Sequence, residues 1–361
     1  MRRLIPAIVI LLGLPASVRA QTIIDPSRRI DWTQAGAPGG IPNRTTICTT
    51  LSPGATAAQI NSALLACSNG VVLLNAGTYT LSTGLNFSGS SNVTLRGAGT
   101  RQTILQFTGA DGCGGFPASV CLKGSSSVGV WGVPSANVRN WTAGYTKGTT
   151  QITLDSVSGV SVGMILALDQ IDDTVDTGGV VVNGQSISAF SIEGAAPGRP
   201  NRTQVQYVKV TAINGTQVTI SPGLYMPNWR SSQSPQAWFW GTVSQTAFAI
   251  GIENLTLDNS SNTAEQTGLM MWNAYGCWVK NVKSVSPNRN HIWLYQSAHS
   301  EVRDSYFFGT KNAATQSYGV ESFMTSDEVN ESFTTSSQGT VGVPRVVHDS
   351  LAGPATLRHW M

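Results

Sequence analysis

Near the C-terminal end of this 361-residue chain, one stretch says what another has already said. Gly268-Leu-Met-Met-Trp-Asn-Ala-Tyr-Gly-Cys-Trp-Val-Lys-Asn-Val-Lys-Ser-Val285 aligns without a gap on His291-Ile-Trp-Leu-Tyr-Gln-Ser-Ala-His-Ser-Glu-Val-Arg-Asp-Ser-Tyr-Phe-Phe308. A weaker third copy runs from Tyr318 to Phe333, and a half-copy covers Ile252–Leu257. The equivalent positions Ile252, Val279, Val302 and Val329 are spaced 27, 23 and 27 residues apart. Each copy is built of short alternating segments, so the period points to a solenoid of stacked strands rather than to helical repeats. No single rung can bury its own apolar side, so the chain must coil upon itself.

Composition supports that reading. Hydrophobic residues make up 41% of the chain and charged ones only 11%. A large core is therefore available, and the abundance of Gly, Ser, Thr and Asn favours turns and strands. Apolar residues at three- and four-residue spacing are not sustained, which disfavours a helix bundle. The net charge of +3 is small and scattered. With no basic run interleaved with aromatics, nucleic acid is not an expected partner.

Residues 1–20 have the form of a signal peptide: Arg2 and Arg3, an apolar run from Leu4 to Leu14, and Val18-Arg-Ala20 as a cleavage site. The run is too short to span a bilayer comfortably. The expectation is an exported chain, extracellular or periplasmic, with no membrane association after cleavage. Export permits disulfides. Cys48 and Cys67 bracket a helical segment, Cys113 and Cys121 bracket a short loop, and Cys277 lies within a rung as the expected free thiol. Sequence alone leaves the pairing open.

Thr56–Ala66 reads as an amphipathic helix with Ile60, Ala63 and Leu64 on one face. Short strands follow at Gly70–Leu74, Ala76–Leu81, Leu85–Phe87 and Val93–Gly97. A helix here would cap the open end of the solenoid and cover its strand edges. The run Ala57-Ala-Gln-Ile, Gly70-Val-Val-Leu-Leu-Asn-Ala-Gly-Thr-Tyr, Asn92-Val-Thr-Leu-Arg-Gly-Ala-Gly resembles the N-terminal entry of the pectate-lyase-like superfamily. The resemblance covers about residues 45–110, and the rungs from Phe248 to Phe333 fit the same fold. It implies an all-β chain: a right-handed parallel β-helix with an N-terminal capping helix. It also implies a carbohydrate-active protein acting on an acidic or plant-type polysaccharide by elimination or hydrolysis. The competing class is a non-catalytic adhesin or carbohydrate-binding stalk. A monomer is expected.

Between the two blocks the rung spacing breaks. Thr149–Leu154, Met164–Leu168, Val205–Val210 and Gln217–Ile220 are strand-like, with Asn214-Gly215 as a hairpin turn between the last two. The expected organisation is therefore residues 1–20 signal peptide, 21–129 cap and first rungs, 130–240 an inserted β-rich subdomain, and 241–336 further rungs. Residues 337–361 read as an irregular tail that continues no strand pattern. That tail is either a loop crossing the last rung or the sign of a truncated product. In the second case, a strip of apolar surface would favour aggregation.

Several residues are candidates for chemistry. Strand alternation puts Leu269, Met271, Ile292 and Leu294 on one face and Met270, Trp272, Trp293 and Tyr295 on the other. With the aliphatic set inward, Trp272, Trp293 and Tyr295 form an outer stripe suited to stacking on sugar rings. The alternative is that the inserted subdomain packs over them. Asp169, Asp172, Asp173 and Asp176 form the densest acidic run. They could hold Ca²⁺, as the resemblance to pectate lyases implies. Asp169, Asp172 and Asp173, with Glu193, could instead supply an acid–base pair, and a solvated loop is the plainer alternative. Arg289 and Lys311 are candidate cations for a uronate, His291 a candidate base, and Glu321 flanks the next rung. The polygalacturonase motifs Asn-Thr-Asp, Gly-His-Gly and Arg-Ile-Lys do not occur, so no family's catalytic residues carry over by position. Asn254, Asn281, Asp304 and Glu331 are expected to stack as a turn ladder. Glu253, Lys280, Arg303 and Asn330 are expected to form a solvated charged row.

Overall fold

The computed structural model describes residues 32–129, 132–171, 199, 202, 204–311, 318–335 and 346–348. The signal-peptide segment, Asp172, Asp173, Asp176, Glu193 and most of the tail lie outside the described residues.

The chain is a right-handed parallel β-helix of about nine turns. Two sheets carry it. One contains the strands Gly251–Asp258, Trp278–Val285, Glu301–Phe308 and Glu328–Thr335, each pairing in parallel with the next. Gly251–Asp258 continues onto Val93–Gly97 and Thr103–Phe107, so the N-terminal rungs and the repeats form one helix. The other sheet runs through Phe116–Lys123, Thr267–Tyr275, Asn290–Ala298 and Val320–Ser326. Inward side chains from both, including Leu95, Leu255, Leu269, Met271, Val279, Ile292, Leu294 and Val302, fill a single aliphatic core.

The helix Ala57–Ala66 closes one end. Thr56 and Gln59 form a capping box, and Ala57, Ile60 and Leu64 turn into the core. Disulfides Cys48–Cys67 and Cys113–Cys121 are formed, and Cys277 is a buried free thiol. The insertion is a closed six-stranded antiparallel barrel made of Val138–Ala143, Gln151–Leu154, Ile165–Asp169, Val205–Asn214, Gln217–Ser221 and Gln236–Trp238. Its hairpin turn is Gly215-Thr216, one residue beyond the expected Asn214-Gly215, since Asn214 pairs with Gln217 and Gly215 takes φ +58°.

Three register details differ from the sequence reading. The third copy pairs Val320 with Ile292 and Ser322 with Leu294, where gap-free alignment put Gly319 and Glu321. A one-residue shift exchanges faces. It sends Val320 into the core and Glu321 to the outer side beside Trp293, so this rung keeps an apolar interior. The turn ladder is present: Asn254, Asn281 and Asp304 all adopt left-handed φ of 51° to 57°, and Asn281 Nδ2 donates to Asn254 Oδ1 at 2.8 Å. In the last rung the backbone register is off the alignment by one residue, with Asn330 opposite Val302 and Glu331 opposite Arg303 ahead of an irregularity. In the tail, Val346–His348 lies antiparallel along Glu328–Asn330, so part of the expected irregular segment is a paired strand.

Candidate functional site

The aromatic stripe has the predicted phase but not the predicted exposure. Met270 pairs with Trp293 and Trp272 with Tyr295 across adjacent rungs, and all point away from the aliphatic core. They are nevertheless buried: Trp272 is 8% exposed, Trp293 2% and Tyr295 0%. The barrel sits on them and contributes Ile165, Ala167, Val205, Tyr207, Trp238 and Trp240 to a second core. Phe116 packs on the rings of both Trp293 and Tyr295. An exposed sugar platform at Trp272, Trp293 and Tyr295 is thus corrected to packing beneath the insertion. Burying these rings removes far more apolar area from water than stacking on one sugar face would.

The acidic run offers one described member. Asp169 is 1% exposed, with Oδ1 2.7 Å from Arg202 Nη1 and Oδ2 3.0 Å from Trp238 Nε1 and 3.4 Å from Arg199 Nε. Two guanidiniums and an indole N–H occupy both oxygens, so this carboxylate does not fit a Ca²⁺ ligand and is closed to substrate. Among the described residues no three His, Cys, Asp or Glu side chains gather around a common point for a metal.

Arg289, His291 and Glu321 are buried against protein partners, and Lys311, though exposed, is engaged by protein groups as well. Arg289 pairs with Glu321 at 3.4 Å and lies 5.0 Å from the Trp293 ring centroid, while Asn290 Nδ2 donates to the same Glu321 oxygen at 2.6 Å. Lys311 Nζ reaches Glu265 Oε1 at 2.8 Å and Asn259 O at 2.9 Å, tying the corner between two rungs. His291 is fully buried, stacked on Phe307 at 5.2 Å and 2.9 Å from Ser284 Oγ. Burial lowers its pKa to about 3, so it is neutral, but no substrate can reach it. None of these four lines the cavities described next. The row Glu253, Lys280, Arg303 is in register as expected. Glu253 is buried rather than solvated, held by Arg96 Nε at 2.7 Å and Trp278 Nε1 at 2.8 Å.

The open chemistry lies at the other end of the same strands. Segment 33–42 crosses the turns after Thr267–Tyr275 and Asn290–Ala298. Gly36 N donates to Asp327 O at 2.7 Å, and Ala37 N donates to Glu301 Oε2 at 3.2 Å. Gly36 has φ +81°, and a Cβ there would stand 2.9 Å from Glu301 Oε2, so only glycine lets the strap lie this close. Between strap and turns opens a groove of about 660 Å³, walled by Gln34, Tyr275, Lys280, His299, Glu301 and Arg303. Beside it a second cavity of about 480 Å³ reaches toward the barrel. Ala37, Pro38, Gly40 and Tyr275 line both, so the two meet at the tyrosine.

The groups here are strongly tuned. His299 Nδ1 stands 3.2 Å from Gly36 O. A carbonyl only accepts, so Nδ1 carries the proton and Nε2 the lone pair. Burial lowers the imidazole's pKa to about 4, opposed by that backbone contact. Nε2 faces Asp327 Oδ2 at 3.5 Å, close but longer than a formed hydrogen bond. Burial raises the Asp327 pKa, opposed by the hydroxyl of Tyr225, which donates to Oδ1. Glu328 next to it is pushed up to about 8 by burial, with Ser297 Oγ donating to it at 3.2 Å. Tyr275 packs its ring 4.9 Å from that of His299, and burial raises its pKa, keeping the phenol protonated. Lys280 makes no ion pair among the described residues, and Arg303 pairs with Glu301 at 2.7 Å. The sequence reading missed this constellation. Its one available signal was that His299 falls at the turn of a rung, one repeat after Gly276.

Fold and site together define the class, a parallel β-helix with an inserted barrel and a basic, histidine-bearing groove at its turns. No family model and no curated protein matches the sequence. Among solved structures the chain is similar to the tailspike protein gp49 from Pseudomonas phage LKA1. That match has 14% identity over 77% of this chain and 39% of that one, with a TM-score of 0.47. It is similar also to the tailspike gp61 of Pseudomonas phage phi297, at 16% identity over 70% and 41% with a TM-score of 0.40. An alginate lyase from Paenibacillus sp. str. FPU-7 follows at 12% identity over 76% and 50%, with a TM-score of 0.34. The chain spans about two fifths of the length of the two tailspikes it matches.

Proposed function

We propose that this chain is an exported, carbohydrate-active protein that binds an acidic polysaccharide in the groove under the strap and cleaves it by elimination. One observation carries the reading. Lys280, without an ion pair among the described residues, lines a single groove of about 660 Å³ with a neutral His299 and a protonated Tyr275. Elimination from a uronate needs a cation for the carboxylate, a base for the proton beside it and an acid for the departing oxygen. Lys280, with Arg303, would neutralise the carboxylate. His299 would take the proton at Nε2 once the substrate displaces the Asp327 carboxyl that faces it, and the electrons of the broken C–H bond would form the new C=C bond as the glycosidic C–O bond breaks. Tyr275 would protonate the leaving oxygen. The solved structures named above include an alginate lyase and two tailspikes, in keeping with such a partner, and the site chemistry alone supports the choice of elimination.

A polysaccharide panel tests this. Absorbance at 235 nm that is lost in His299→Ala supports elimination. New reducing ends without absorbance overturn it in favour of hydrolysis. Silence across the panel, with retained binding, overturns catalysis in favour of a binding module, a reading that the 3% exposure of His299 favours.

A further inference from the structure

The cavity of about 480 Å³ beside the groove holds an ammonium that no carboxylate among the described residues neutralises. Lys209 projects from the barrel strand Val205–Asn214 into a space walled by Pro38, Pro42, Val243, Phe248, Tyr275 and Trp278. Its Nζ stands 5.7 Å from the centroid of Phe248 and 5.8 Å from that of Tyr275. It has no carboxylate partner and no hydrogen-bond acceptor among the described residues. The nearby cation Arg44 is differently placed. Its guanidinium lies on Trp278 at 4.9 Å and donates to Thr94 Oγ1 and Ala249 O, so it is fully committed. Glu253 is likewise consumed by Arg96 and Trp278.

A half-buried charge over two ring faces gains on the order of 1 kcal/mol from them. It still lacks the anion that apolar surroundings make most valuable. The walls are flat rings and prolines, and the volume falls in the range of small-molecule sites, roughly 300–1,000 Å³. We propose that this cavity is a binding site for an aryl carboxylate, its ring between Phe248, Tyr275 and the prolines and its carboxylate on Lys209. The site is separate from the polysaccharide reading, since it needs neither His299 nor Lys280. At Tyr275 it opens into the groove, so an occupant would press on the wall that the two cavities share.

The probe is phenylacetate, with phenylacetamide as its uncharged isostere, titrated against the full-length chain by calorimetry and by protein-observed NMR. The expected result is at least tenfold tighter binding of phenylacetate. That preference should vanish in Lys209→Met and persist in Lys209→Arg, with both variants keeping the parent melting temperature within a few degrees. Phe248→Ala should weaken both probes. Equal affinity for the two probes overturns the proposal, as does no binding of either or a preference that survives Lys209→Met. Should Lys209→Met not fold, the parent's acid-over-amide ratio and Phe248→Ala still decide. Failure on the polysaccharide panel leaves this result unchanged, so the two readings fail separately.

Discussion

His299 Nε2 lies 3.5 Å from Asp327 Oδ2, with both side chains almost wholly buried. The backbone of the strap fixes the imidazole's tautomer and a tyrosine holds the other carboxylate oxygen. Burial disfavours the charged form of both groups, lowering the pKa of the imidazole and raising that of the carboxyl, so the two face each other as neutral groups without a formed hydrogen bond.

Stability should depend on pH with a sign set by these groups. Glu328, with a folded pKa of about 8, and Asp327, also raised, favour the folded state when protonated. Their contribution is complete below the unfolded carboxylate pKa and is lost as pH rises through the folded value. His299 and His291, lowered to about 4 and about 3, act oppositely, contributing above pH ~6.5 and losing it as pH falls. Between pH ~6.5 and ~8 the carboxylates dominate the slope, so the melting temperature should fall. Glu328→Gln should flatten that slope, and a parallel slope in the variant would contradict the assignment.

Removing Lys280 tests charge without touching the core. Lys280→Ala should raise KM for an acidic polymer at least severalfold while leaving urea stability within about 0.5 kcal/mol, as expected for a surface-type substitution. Kinetics and a denaturant titration on the same preparation check both halves.

The helix core should respond as a close-packed interior. Leu294, fully buried between rungs, should cost about 2–5 kcal/mol on conversion to alanine, read from urea unfolding. Asn281→Ala puts a β-carbon residue without a side-chain amide at φ +51° and removes the donor of the 2.8 Å ladder bond. It should cost about 1–2 kcal/mol, and Asn281→Gly less.

Cys277 should be silent toward thiol reagents in the native state. Its burial pushes the thiol up to about 12, and the other four cysteines are paired. One thiol per chain should react with Ellman's reagent after denaturation and none before. Reduction of Cys48–Cys67, which closes a 19-residue separation, should lower stability by about 3 kcal/mol.

The sequence by itself determined the helix. A period near 25 residues with alternating polarity leaves stacking as the one way to bury Leu269, Ile292 and their equivalents, and it set which side chains face inward. The cap was legible for the same reason, because Thr56, Gln59 and the Ile60–Leu64 face are local signals. Tertiary structure alone decided what covers the outward aromatics. Trp272, Trp293 and Tyr295 look identical in sequence whether they meet sugar, water or a barrel, and the barrel's docking has no period to read. It also slid the third rung by one residue, since burying Val320 rather than Gly319 gains apolar contact that alignment cannot weigh. The groove, the cavity beside it and the groups that frame them belong wholly to this second kind. Gly36, Lys209, Tyr275, His299 and Asp327 come from a strap, a barrel strand and three successive turns, and only long-range packing brings them to one place.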